Sequence, residues 1–261
     1  MPGARSSSFL GDFGTALVCG IMLSLAGCAT ANQENLRTGA AAVSIKTLQY
    51  YPFQVKGYQK SFPNKRIVVL ASADGRSFRE AGDANHEPYQ GHPAIGVVLD
   101  RHSQVTQQLY GPELAPLLTA AIAQSAQEAG MTSATSPLAL KDALKARGAD
   151  YLLVATVTGL WVVKQRGVDN EGGPTWFSAA DAALDVTIYK PPFSVPFWQG
   201  VSAAEYNDPP KPVAGARPED ETEIYDQPGE VLSVALTRAV AGIFQRDDLR
   251  TLVVQDTIPP R

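Results

Sequence analysis

The chain has 261 residues, 44% of them apolar and 18% charged, with 22 basic against 26 acidic side chains for a net charge of −4. That length admits one domain or at most two, and the apolar fraction supports a core but not a multi-span membrane protein. A negative balance does not supply the positive surface a polyanion needs, so general nucleic-acid binding is excluded; 22 Gly and 19 Pro spread through mixed sequence exclude collagen-like and fully disordered chains.

In chain order, the first feature is a continuous apolar stretch from Thr15 to Ala26, preceded by Arg5, a serine patch and Asp12. As a helix it would span about 18 Å against about 30 Å of hydrocarbon, which makes it a signal-peptide core and not a membrane span. It ends in Leu25-Ala26-Gly27-Cys28, which resembles the bacterial lipobox. The resemblance implies removal of residues 1–27 and acylation of Cys28; the alternative is an ordinary secretory signal with an incidental cysteine. Cys19 lies within the removed segment, so the mature chain would keep one thiol and no internal disulfide. Acylation consumes that thiol, and at about 0.8 kcal/mol per buried methylene, more than one acyl chain holds a protein stably. Ala29, in place of aspartate, resembles the outer-membrane sorting rule of such lipoproteins.

Residues 28–61 read as a lipidated N-terminus and tether, polar from Asn32 to Asn35 and small from Thr38 to Ser44. Tyr50, Tyr51, Phe53 and Tyr58, with Phe62, interrupt it. Aromatics at this density either dock a partner or pack as an arm on the chain's own domain.

The folded body is expected over residues 62–258. Arg66 to Ala71 is a branched apolar run that predicts a buried strand, ending at the turn-forming Asp74-Gly75. Within the long stretch from Ser72 to Gly111, Ile95 to Leu99 predicts another. Gly111-Pro112-Glu113 opens a helix that Gly130 closes, with Leu114, Leu117, Leu118, Ala121, Ile122 and Ala129 on one face. Ser136 as cap and Pro137 at the first position predict a second helix ending at Gly148. Tyr151 to Val163 suits a central strand, and Leu184, Val186 and Ile188 alternate as in a half-buried neighbour. A further strand from about Phe197 to Tyr206 would form a hairpin across Lys190-Pro191-Pro192. The acidic, proline-rich stretch Asn207 to Gln227 reads as a solvated loop. Leu232, Ala235, Leu236, Ala239, Val240 and Ile243 predict a third helix, and Thr251 to Val254 a short edge strand. The expected fold is an α/β two-layer sandwich, a mixed sheet with about three helices packed on one face.

The lipobox, the strand ending in Asp74-Gly75-Arg76, the Ile95-Gly96 step, the helix ending Glu128-Ala129-Gly130 and the last helix running into Arg246-Asp247-Asp248-Leu249 together resemble the YajG-like family of bacterial lipoproteins. More distantly, Gly148-Ala149-Asp150-Tyr151 before a strand is similar to α/β envelope lipoproteins of the CsgG and LpoB type. The resemblance implies a periplasm-facing envelope lipoprotein with no catalytic residue, and Asp74 and Arg76 are its family-motif turn; with Ala29, the expected location is the outer membrane, and an envelope protein partner and no cofactor are expected.

Independent chemistry is sparse. His86, His92 and His102 lie near Asp83, Glu87 and Asp100, which is zinc vocabulary, but the spacing is not the helical His-Glu-x-x-His arrangement. There is no Gly-x-Ser-x-Gly elbow and no phosphate-cradling glycine loop. Asp74 and Arg76 either serve their own turn or present charge to a partner. The reading is therefore a non-enzymatic binding or assembly module with no metal site. Its alternatives are an accessory subunit of a transport or secretion machine and a metal-dependent hydrolase using the histidine loop.

Overall fold

A computed structural model describes residues 44–47, 61–62, 64–76, 92–137, 148–168, 172–212 and 227–256. The chain divides into two units after Ala42, and every described residue belongs to the second, Val43–Arg261.

Among the described residues nine strands form one mixed sheet: β1 (Ser44–Thr47), β2 (Arg66–Leu70), β3 (Ala73–Asp74), β4 (Ala94–Leu99), β5 (Val105–Tyr110), β6 (Thr132–Ser136), β7 (Tyr151–Val168), β8 (Pro174–Tyr189) and β9 (Pro196–Pro212). Among the described residues three helices accompany it, α1 (Leu114–Glu128), α2 (Gln227–Gln245) and α3 (Asp247–Asp256). The fold class is the expected one, a mixed sheet with helices packed on it.

β7 organises the sheet. Along one edge it pairs in parallel with β2, then β3, then β4, end to end; along the other it pairs with antiparallel β8 over nearly its whole length. β8 pairs onward with β9, β2 with β6, and β4 with β5 and then β1. A strand this long must keep one face apolar, and its sequence changes parity to do so. Tyr151, Leu153, Ala155 and Val157 are core residues, then Leu160 and Val162. The register shift between Val157 and Gly159 inserts the extra residue that returns the even positions to the same face.

α1 and α2 lie on that face. Leu118 and Ile122 of α1 and Leu232, Leu236 and Ile243 of α2 are completely buried in one core with Ile67, Val69, Leu153 and Leu184. Gly130, at φ 98°, turns the chain away after α1, as its position predicts. Thr119 of α1 accepts the Ser72 N–H at 3.0 Å, and Ser133 of β6 donates to the Ala123 carbonyl at 2.7 Å, so hydroxyls fasten the helix to the strands on both sides. On the opposite face, Phe193 from the β8–β9 turn covers Leu70 and Leu152.

Several expectations need correction. Ser136, read as a helix cap, is the last residue of β6, whose Thr-Ser-Ala-Thr-Ser segment pairs in parallel with β2; residues 138–147 of that expected helix lie outside the described residues. Thr251 to Val254 belong to α3 and not to an edge strand, because Leu249 and Val253 bury one helical face one turn apart and Asp247 and Asp248 occupy the favourable first turn. Asn207 to Pro212 continue β9, and this violates no ladder rule: β9 is a sheet edge among the described residues, where proline is tolerated. Ser44–Thr47, expected in the tether, pair with β5. β5 itself escaped the sequence reading because Val-Thr-Gln-Gln-Leu-Tyr lacks a clear apolar run.

Candidate functional site

Cys28, Tyr50, Tyr51, Phe53, Tyr58 and His86 lie outside the described residues. Phe62, at the end of the aromatic series, packs on its own domain: it is 1% exposed, its ring meets Phe244 edge-on at 6.3 Å, and its N–H donates to the Ala129 carbonyl.

Asp74 and Arg76 form an internal clamp. The turn after β3 brings the Arg76 guanidinium onto Asp74 through two oxygens, at 2.8 and 2.6 Å, while Nη1 donates to the carbonyls of Ala94 at 2.9 Å and Leu160 at 3.3 Å. Those carbonyls belong to the entrance of β4 and to the stretch of β7 beyond its bulge. The Arg76 side chain is only 5% exposed. Burial pushes the Asp74 carboxyl up, but the hydrogen bonds and charge of Arg76 outweigh it and hold the group below its usual range. This pair joins β3 to β4 across the gap in the ladder, which favours the turn-serving reading over presentation to a partner.

The other short motifs have similar duties. Asp150 accepts the Arg66 N–H on its carboxylate at 2.7 Å and returns its own N–H to the Arg66 carbonyl at 2.9 Å, aligning β7 with β2; Gly148 makes the preceding turn at φ 89°. Asp248 at the start of α3 takes a two-pronged bond from Arg246, both at 3.0 Å, and one from the Trp198 indole at 3.2 Å. Asp256 at the end of α3 accepts from Tyr151 at 2.9 Å and from Lys190. Burial and this carboxylate raise the Tyr151 phenol well above its ordinary range. Asp256 itself is held low by the Lys190 and Tyr151 bonds, against the pull of burial.

The histidines do not converge. His92 faces the Gly111 carbonyl at 3.2 Å before β4, and His102 accepts from Arg101 at 3.0 Å after it. The six residues of β4 place the two about 20 Å apart along the sheet. No group of three or more potential metal ligands occurs among the described residues.

Two polar features went unread in the sequence. The cross-strand row Gln107, Val98, Lys164, Ser178 and Asp208 crosses β5, β4, β7, β8 and β9 on the helix side. Lys164 is 3% exposed with its ammonium 4.6 Å from the Trp176 ring centre, while the buried Ser178 hydroxyl and Trp176 indole N–H find no hydrogen-bond partner among the described residues. On the other face, Asp181 of β8 stands directly opposite Glu205 of β9. Burial and then the Glu205 charge push the Asp181 carboxyl up to about 6. Neither feature is a motif in the sequence; the strand register creates both.

Beyond β9 no further strand pairs among the described residues. This edge is 17 residues long, and Val201 on it is 53% exposed. The Val201 carbonyl accepts from Arg246 at 3.2 Å. No helix among the described residues is long and apolar enough to cross a membrane.

No family model matches this chain. No curated protein matches it in sequence. Among solved structures it is similar to a Xanthomonas campestris protein of the DUF330 family, at 12% identity and a TM-score of 0.42 over 82% of this chain and 99% of that one. It is similar also to a homologue of the neuraminyllactose-binding hemagglutinin from Helicobacter pylori, at 8% identity and 0.44 over 80% and 98% of the two chains. A hypothetical protein from Chlamydia trachomatis follows at 9% and 0.29, over 74% and 99%. Likeness at these values assigns neither a family nor a task.

Proposed function

We propose that this chain is a lipoprotein of the bacterial envelope, of the YajG-like kind, anchored through acylated Cys28 in the periplasmic leaflet of the outer membrane, and that its α/β body is a non-enzymatic binding module for another envelope component. The observation that carries the reading is Leu25-Ala26-Gly27-Cys28 closing a 12-residue apolar stretch, Thr15 to Ala26, too short to span a bilayer. The described charged groups support it from the other side. Asp74, Arg76, Asp150, Asp248 and Asp256 are each engaged in joining one element of the fold to another, Asp256 by bonds from Tyr151 and Lys190. A long edge strand gives such a module a surface that needs no catalytic chemistry.

Growth of producing cells with radioactive palmitate tests the anchor. The expected outcome is label in the wild-type chain and none after Cys28→Ser; an unlabelled wild type, or equal label in both, overturns the reading. Crosslinking in intact cells followed by mass spectrometry tests the binding role, which predicts a recurrent envelope protein partner.

A further inference from the structure

We infer that the outer edge of β9 between Phe197 and Asp208 is a strand-addition site for a basic extended segment of a partner protein. The inference deepens the binding reading above and is independent of the anchor.

The edge is long, and no described strand pairs with its outer side. β9 runs from Pro196 to Pro212, with prolines at 196, 209, 210 and 212, so its proline-free stretch is bounded at both ends. Over that stretch it pairs with β8 alone among the described residues. In an antiparallel ladder alternate residues point both backbone groups to the same side. Arg246 reaches the Val201 carbonyl from outside the ladder, which places Val201 among the outward residues and, by alternation, Gln199, Ala203, Glu205 and Asn207 with it. Their N–H and C=O groups are what an added strand pairs with. Arg246 already occupies one of these acceptors, as a guanidinium held by Asp248 against the Trp198 ring at 5.8 Å.

Charge specifies the occupant. On the face away from the helices, the side chains of β8 and β9 include Asp181, Asp185 and Glu205, and the same face of β7, β8 and β9 from Gly159 to Gln165, Phe177 to Thr187 and Gln199 to Asn207 carries no Lys, Arg or His. Glu205 therefore has a carboxylate opposite it on its β8 side and, among the described residues, no strand partner on its outer side. Like charges directly opposed destabilise a ladder, and a cation on the next strand reverses the sign. Exposed Val201 and small Ala203 beside Glu205 leave room for the stem of a lysine or arginine to lie along the face. A second copy of this chain does not meet the requirement, because its own β9 would bring another Glu205 and no cation on that face.

The test uses the full chain purified in mild detergent and a ten-residue peptide of alternating lysine and threonine, with backbone hydrogen exchange followed by mass spectrometry. The peptide is expected to slow exchange across residues 197–208 saturably. Glu205→Lys is expected to weaken that binding by about threefold or more, as an exposed ion pair allows. Ala203→Pro, which removes an outward N–H without touching the β8 ladder, is expected to weaken it by about fivefold or more. Absence of protection at 197–208, protection confined to other strands, or protection unchanged by Glu205→Lys overturns the inference. Glu205→Lys alters an exposed side chain, so it decides the matter even if Ala203→Pro does not fold. Loss of palmitate labelling leaves this result unaffected, which keeps the two failures distinguishable.

Discussion

Arg76 donates to the main-chain carbonyl of Leu160, 84 residues away, and in doing so ties the turn after β3 to the strand on which the sheet is built. The carbonyls of Leu160 and Ala94 receive a guanidinium beside the β7 bulge, where the parallel partners of β7 change from β3 to β4.

Arg76→Ala is expected to destabilise the protein by about 2–3 kcal/mol, because it strips two main-chain acceptors and leaves Asp74 without its counter-charge. Arg76→Lys should recover less than half of that loss, since an ammonium cannot span the carboxylate and the two carbonyls together. Urea unfolding followed by circular dichroism measures both.

Gly96 sits where β4 meets β7, and a methyl group there would lie 2.0 Å from the Val162 carbonyl oxygen and 2.6 Å from a Val162 methyl. The nearest atom is backbone and cannot step aside. Gly96→Ala should therefore cost more than about 3 kcal/mol, at the upper end of overpacking effects, and lower the yield of folded protein. The clash gives the Ile95-Gly96 step its physical reason.

Gly242 of α2 faces a softer obstacle, the Ser202 hydroxyl at 2.6 Å from its would-be methyl; that hydroxyl donates to the Ala239 carbonyl, also at 2.6 Å. Gly242→Ala gains about 1 kcal/mol of helix propensity and loses about as much by displacing this bond, so alone it should be close to neutral. In the Ser202→Ala background, where that bond is already gone, the same change should be stabilising by up to about 1 kcal/mol, a coupling of at least about 0.5 kcal/mol. Thermal melts of the four-member cycle check the sign.

Asp181 gives a pH signature. Its folded carboxyl is pushed up to about 6 from an ordinary 3.8, first by burial and then by Glu205. A carboxyl raised in the folded state contributes stability that is fully present below its unfolded value and is lost as pH rises through the folded one. The contribution of Asp181 should therefore decline between pH about 4 and about 6 and be flat above that window. Asp181→Asn should remove the decline, visible as a smaller difference in unfolding midpoint between those pH values.

Asp256 acts with the opposite sign. Its bonds from Lys190 and Tyr151 hold it below the ordinary value, so the stability it contributes is present at neutral pH and lost as pH falls through the acid range. Asp256→Asn should cost about 1 kcal/mol at pH 7, an amount suited to a partly exposed pair, and the difference from wild type should shrink toward acid.

The amino-acid sequence alone determined the composition class, the α/β fold and the limits of its clearest elements. Leu114, Leu118 and Ile122 recur at helical spacing, Leu184, Val186 and Ile188 alternate, and Gly130 stops a helix, because these signals arise from neighbours a few residues apart. The Leu25 to Cys28 motif is equally local. What the tertiary structure alone decided are relations of register. The parity change in β7, the strand identity of Thr132–Ser136 and of Asn207–Pro212, and the meeting of Asp181 with Glu205 depend on which distant segment lies alongside. Arg76 belongs with these: its type and its nearness to Asp74 were legible, but the carbonyls it serves come from β4 and β7, and no spacing along the chain encodes a hydrogen bond to backbone 84 residues away.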